Sequence, residues 1–260
     1  MDQMAEVYSN ITPYAYCANN PIRLIDIDGR YFDDENEKTA QHNERRLINK
    51  QHRLANRAIK MAAKGKDTGD IEARQDELDK SLNNISNMRA NENTEFRYAS
   101  VNSKEARLYN VEGPTTQYTA KNENGDAVVT MFTENNMGSV LHEGRHGGDY
   151  ATGTLRINTS GGYGVSHEVS AYRAQYSWNG SLQYKPADYL SNNPILGSAF
   201  DKLGEGIIPT ISVVDINSIT PGLVNNIGTS VMYNKGNTSI KAWMPLYPPN
   251  GIKKEIWDNH

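Results

Sequence analysis

The chain has 260 residues, 37% of them hydrophobic and 22% charged, with a formal net charge of -4 at pH 7 and a pI near 5.9. That length holds one large domain, or a small one with attachments, around a sizeable core, and the acidic balance gives no global attraction to nucleic acid or to an anionic membrane. Cys17 is the only cysteine, which excludes an intrachain disulfide and a cysteine-ligated metal centre; no apolar run approaches the ~18 residues of a membrane span, and the first residues lack the basic and apolar regions of a signal peptide.

Residues 1–30 end in "YSNITPYAYCANNPIRLIDIDGR", which reads as a Tyr-rich strand, an Asn-Asn-Pro turn and a short strand closing at Asp28-Gly29. Pro13, Tyr14, Tyr16, Asn19, Asn20, Pro21, Asp26, Asp28 and Gly29 resemble the closing segment of the Rhs (YD-repeat) shell of bacterial polymorphic toxins, with Ile27 in place of the usual proline. The resemblance implies that these residues are a shell remnant and that a toxin domain comes after them. It also implies a cognate immunity protein and delivery into a target cell by a specialised secretion system.

Residues 31–95 change texture: they are charged and poor in Gly and Pro, with apolar positions at helical spacing. Leu47, Leu54, Ala58 and Met61 line one predicted helix and Ile71, Leu78, Leu82 and Ile85 a second, with "GKDTGD" between them, so the segment predicts a helical hairpin. Arg45 through Lys66 is basic and Asp70 through Asp79 mostly acidic, which predicts an antiparallel pair with complementary faces; the other reading is a basic helix for nucleic acid or membrane.

From residue 96 to residue 260 the pattern is α+β. "TQYTAKNENGDAVVTMFT" predicts a β-hairpin turning at Asn124-Gly125, and "AVVTMF" within it is expected as an edge strand beside the next helix. That helix, over residues 137–146, carries His142, Glu143 and His146 and is expected to stop at Gly147-Gly148. A second helix over 165–177 is expected to be capped by Ser166, with Val165, Val169, Tyr172 and Tyr176 packing against the first. In the tail, turns are expected at "NNP", "TPG", "NKGN" and "YPPNG", and a short capped helix after Thr220-Pro221.

Two histidines at i and i+4 share one helix face and can reach a single ion, and a glutamate between them can take a proton from a water that the ion acidifies. Chance alone gives about 0.008 such HExxH strings for a chain with 6 His among 260 residues. His142 and His146 are therefore read as ligands of Zn2+, and Glu143 as the general base. The third ligand is read as Glu168, at the start of the second helix, in preference to the adjacent His167, which points ~100° away.

With 21 residues between His146 and Glu168, the arrangement resembles the gluzincin metallopeptidases. The resemblance implies a zincin-like fold, a zinc-dependent peptidase and a protein or peptide substrate. It also implies a tyrosine that polarises the scissile carbonyl, for which Tyr172 is the candidate, and an aspartate orienting a histidine, for which Asp149 and Asp126 are both open. Thr152 stands where a metzincin needs its third ligand, six residues past His146, which excludes that class. The alternatives are a nuclease toxin, suggested by the basic helix, and a non-catalytic module with a structural metal or none. No sequence-specific nucleic-acid partner is expected.

Overall fold

The computed structural model describes residues 32, 34–155, 165–184, 211–225 and 227. The Rhs-like segment 1–30, and the tail turns around residues 193, 235 and 248, lie outside the described residues. The described part is α+β. Two long helices, α1 (Asp34–Ala62) and α2 (Gly69–Arg89), precede β1 (Thr94–Ser100), a short α3 (Lys104–Leu108), β2 (Thr115–Lys121) and β3 (Ala127–Thr133). Then come α4 (Met137–Ala151), α5 (Val165–Asn179), β4 (Leu182–Tyr184), β5 (Ile211–Val213), a 3-10 turn (Ile216–Ser218) and α6 (Pro221–Asn225).

The helical hairpin forms as its periodicity requires. Leu47 and Leu54 of α1 and Ile71, Leu78, Leu82, Ile85 and Met88 of α2 are buried, and Gly65 takes up a φ of +64° in the connecting turn. The charge pattern works differently from the expectation. The ion pairs that cross the hairpin join Arg89 of α2 to Glu37 (3.0 Å) and Glu44 (2.9 Å) of α1. The basic run of α1 makes no ion pair with the acidic run of α2 among the described residues: Glu77 turns inward to Arg145, Asp70 lies beside Arg74 and Asp79 accepts from the Gln51 amide.

Core packing continues across residue 95, the boundary at which the sequence divides the hairpin from the α+β region. One cluster of buried side chains joins Leu47 and Leu54 of α1, Leu78, Ile85 and Met88 of α2, Phe96 of β1, Val129 and Met131 of β3, and Leu141 of α4. At roughly 1.5–3 kcal/mol for each large aliphatic side chain fully buried, the hairpin supplies much of the apolar stabilisation of the sheet and motif helix.

The three-stranded sheet has the order β1-β3-β2, with β1 parallel and β2 antiparallel to β3. The β2–β3 hairpin turns where Asn124-Gly125 predicts, with Gly125 at a φ of +89° and the Asn122 side chain accepting from the amides of Asn124 (3.0 Å) and Asp126 (2.9 Å). Ala127–Thr133 is the central strand, which corrects the expected edge position. Its residues from Val128 to Thr133 are all buried: Val129 and Met131 face the main core, while Phe132 on the other face packs with Ala106 and Tyr109. A strand covered on both faces takes the middle of a sheet, and the β-branched and aromatic run "AVVTMF" suits that place. The edge strand nearest the motif helix is β2.

A second cluster gathers Val165, Val169 and Tyr176 of α5 with Leu182, Val213, Ile216, Ile219 and Val224. The short α6 begins at Pro221 as expected, with the Thr220 hydroxyl accepting from the Leu223 amide at 3.3 Å.

Candidate metal and catalytic site

The motif helix α4 is set by its cap. Asn136 accepts from the amide of Ser139 (2.8 Å), and the Ser139 hydroxyl accepts from the amide of Glu134 (3.0 Å), so the strand-to-helix bend after β3 is fixed at both sides. The helix does not stop at Gly147-Gly148, as the sequence suggests; it runs to Ala151 and is closed by Thr152 and Gly153. The two glycines serve packing. A Cβ on Gly147 would lie 2.7 Å from the sulfurs of Met131 and Met88, and one on Gly148 would lie 2.7 Å from Cβ of Asn84. Their absent side chains let α4 settle directly on α2 and β3.

α5 begins at Val165, so Ser166 sits within its first turn and is exposed, correcting the expected cap. The stripe of Val165, Val169 and Tyr176 faces the second cluster, away from α4. The side of α5 that meets α4 carries Glu168, Ala171 and Ala174, all buried. Small residues there let the two helices approach closely enough for one carboxylate to reach both imidazoles.

His142, His146 and Glu168 converge, each offering one ligand atom and all within 4.8 Å of one another. His142 Nε2 lies 3.3 Å from Glu168 Oε2, and His146 Nε2 lies 3.3 Å from Oε1. The two imidazoles approach different oxygens of one carboxylate, so Glu168 bridges them, and with one atom taken from each residue the three form a group that could hold a metal ion. His2Glu is also the donor set of a catalytic zinc with an open fourth position. His146 and Glu168 are only 4% and 3% exposed. Burial opposes the charge on Glu168, yet His146 and His142 hold its carboxyl well below the usual range. Burial lowers the affinity of His142 for a proton, but the bond and charge of Glu168, then Glu143 and a bond to Gln175, raise it overall.

Glu143 is 3% exposed. Thr116 Oγ1, on the edge strand β2, lies 2.9 Å from both the Glu143 carboxylate Oε2 and the Glu143 carbonyl oxygen. Burial is the chief reason that the Glu143 carboxyl lies above its ordinary value; His142 and His146 counter it. A raised carboxyl beside a metal-ligand cluster is the setting of a general base. The Tyr172 ring stands edge-on to His142, with centroids 4.7 Å apart, which brings this candidate to the cluster as well.

The candidate orienting aspartates go elsewhere. Asp149 Oδ2 lies 2.7 Å from His167 Nδ1, tying the second half of α4 to the first turn of α5, and Asp126 closes the β2–β3 turn. His167, which points away from the ligand group as expected, is half-buried against Asp149. It is absent from the three-residue ligand group. His42 and His52 are exposed on α1.

Sequence reasoning missed three residues that hold the site. Arg145, between the two histidines, is buried in an ion pair with Glu77 of α2 at 2.9 Å. Thr116 carried no signal, since a threonine in a strand is ordinary. Gln175 comes seven residues after Glu168 and so shares its helix side; that spacing was the available clue. Compared with known proteins, the chain matches no family model, no curated protein and no solved structure.

Proposed function

We propose that this chain is a zinc-dependent metallopeptidase, and that it acts as the toxin portion of an Rhs-type polymorphic toxin. The observation that carries the enzymatic reading is the buried convergence of His142, His146 and Glu168 from two helices, with the Glu143 carboxylate held next to it by Thr116. The toxin reading is supported by the Rhs-like residues 13–29 alone, and with it go an immunity protein, the parent shell and delivery into a target cell.

His142, His146 and Glu168 would hold the ion. When bound, zinc supplies Lewis acidity and brings a water's pKa toward about 7. Glu143 is placed to serve as the general base: its carboxylate would take a proton from the attacking water as the water oxygen added to the peptide carbonyl carbon, and would return it to the nitrogen as the C–N bond broke. Thr116 fixes the Glu143 oxygen against rotation. Tyr172, edge-on to His142, is the candidate donor to the developing oxyanion. An extended peptide would add to the side of β2 that has no paired strand among the described residues, β2 being the strand that carries Thr116.

Glu143→Gln tests the reading because it preserves shape and removes the base. Zinc content and melting temperature should stay at wild-type values while proteolysis or cell toxicity falls ~100-fold or more. Wild-type toxicity in that variant would remove Glu143 from the mechanism.

A further inference from the structure

We propose that the exposed stripe of α1 is a docking surface for the phosphate backbone of duplex nucleic acid, bound without regard to sequence. Arg46, Lys50, Arg53, Arg57 and Lys60 succeed one another at intervals of four and three residues, which keeps them within about 80° of the helix circumference over about 21 Å. Four are exposed and Lys50 is half-buried. None makes an ion pair among the described residues, and no Asp or Glu occurs between Glu44 and Asp67 in the sequence. A chain that carries a net charge of -4 places five of its 27 Lys and Arg residues along this one stripe. Their mutual crowding shows at Lys50, whose ammonium is pushed below its ordinary value by burial and then by the charges of Arg74, Arg53 and Arg57.

The surroundings narrow the partner. A membrane-surface helix needs a continuous free apolar face; that of α1 is sealed in the core through Leu47 and Leu54, and its two exposed large apolar residues, Ile48 and Ile59, stand eleven positions apart. A protein interface needs an apolar or aromatic centre, and the five stripe positions supply none. Trp178 lies beside the stripe, but it is half-buried, with Arg46 (5.3 Å) and Lys50 (5.2 Å) over its ring. It therefore gives no open platform for unpaired bases, which leaves charge, three arginine forks and the exposed amides of Asn49 and Asn56 to meet phosphate oxygens. The proposal does not depend on the peptidase reading.

The test is fluorescence anisotropy of a short labelled DNA duplex of arbitrary sequence titrated with the full chain at several salt concentrations. Binding should weaken with salt along a log–log slope of about -4. The variant Arg53→Gln/Arg57→Gln/Lys60→Gln, altered only at exposed positions, should keep the wild-type melting temperature and reduce the magnitude of that slope by about 2.7. The proposal is overturned by an absence of duplex binding at low salt, or by a slope that the triple variant leaves unchanged. Tighter binding to polyglutamate or to phosphatidylserine vesicles than to the duplex would overturn it equally.

Discussion

At the scale of single residues, the site depends on a hydroxyl that the motif does not mention. Glu143 is buried, and a buried carboxylate needs a partner to hold one rotamer. Thr116 supplies it from the neighbouring strand, across 27 positions of sequence. Removing that hydroxyl with Thr116→Val should leave zinc content unchanged and lower kcat by roughly ten- to hundredfold, the equivalent of ~1.5–3 kcal/mol for a hydrogen bond to a charged group. Thr116→Ser should restore most of the rate. Steady-state kinetics on a cleaved peptide would check both, and an unchanged kcat in the valine variant would show that Glu143 is positioned without it. His142 and His146 were legible because an i, i+4 spacing puts them on one helix face with Glu143 beside them, whereas Glu168 was read from its spacing and the gluzincin resemblance, on an apolar stripe that turned out to serve the second cluster. Thr116 and Glu77 were not legible, since they reach the site through tertiary packing.

At the scale of elements, the helices and the hairpin came from period and turn chemistry, whereas what each face touches did not. Gly147-Gly148 illustrates the limit: the pair reads as a helix stop, but in the fold it is a contact surface, because α2 and β3 press too closely for any side chain. The same holds for α5, whose apolar stripe serves a second cluster while its small residues face α4. And "AVVTMF", read from the sequence as an edge strand, becomes the central one because β1 pairs with it in parallel. Two substitutions in the motif helix separate these roles. Gly148→Ala forces a Cβ into Asn84 and should cost ~1–3 kcal/mol. Gly144→Ala, one turn earlier in the same helix, meets nothing within 4 Å and should gain up to ~1 kcal/mol of helix propensity. Denaturant melts of the two variants would check the opposite signs; equal destabilisation would mean that helix geometry, not contact, governs both.

At the scale of the whole molecule, the charged hairpin reads in sequence as an attachment, yet its apolar face fills the same core as the sheet and the motif helix. Leu78, Ile85 and Met88 lie against Phe96, Val129, Met131 and Leu141, and the buried pair of Glu77 with Arg145 joins α2 to the middle of the motif. A chain cut to residues 96–260 should therefore show no cooperative thermal transition, as calorimetry would reveal; a sharp transition near that of the full chain would make the hairpin dispensable. Everything proposed for the activity rests on three side chains from two helices forming one zinc site. The most direct measurement is metal analysis of the purified, zinc-loaded chain beside Glu168→Ala and His167→Ala. One zinc per wild-type chain, lost in Glu168→Ala and retained in His167→Ala, is the predicted result; zinc that survives in Glu168→Ala, or that departs with His167, would contradict it.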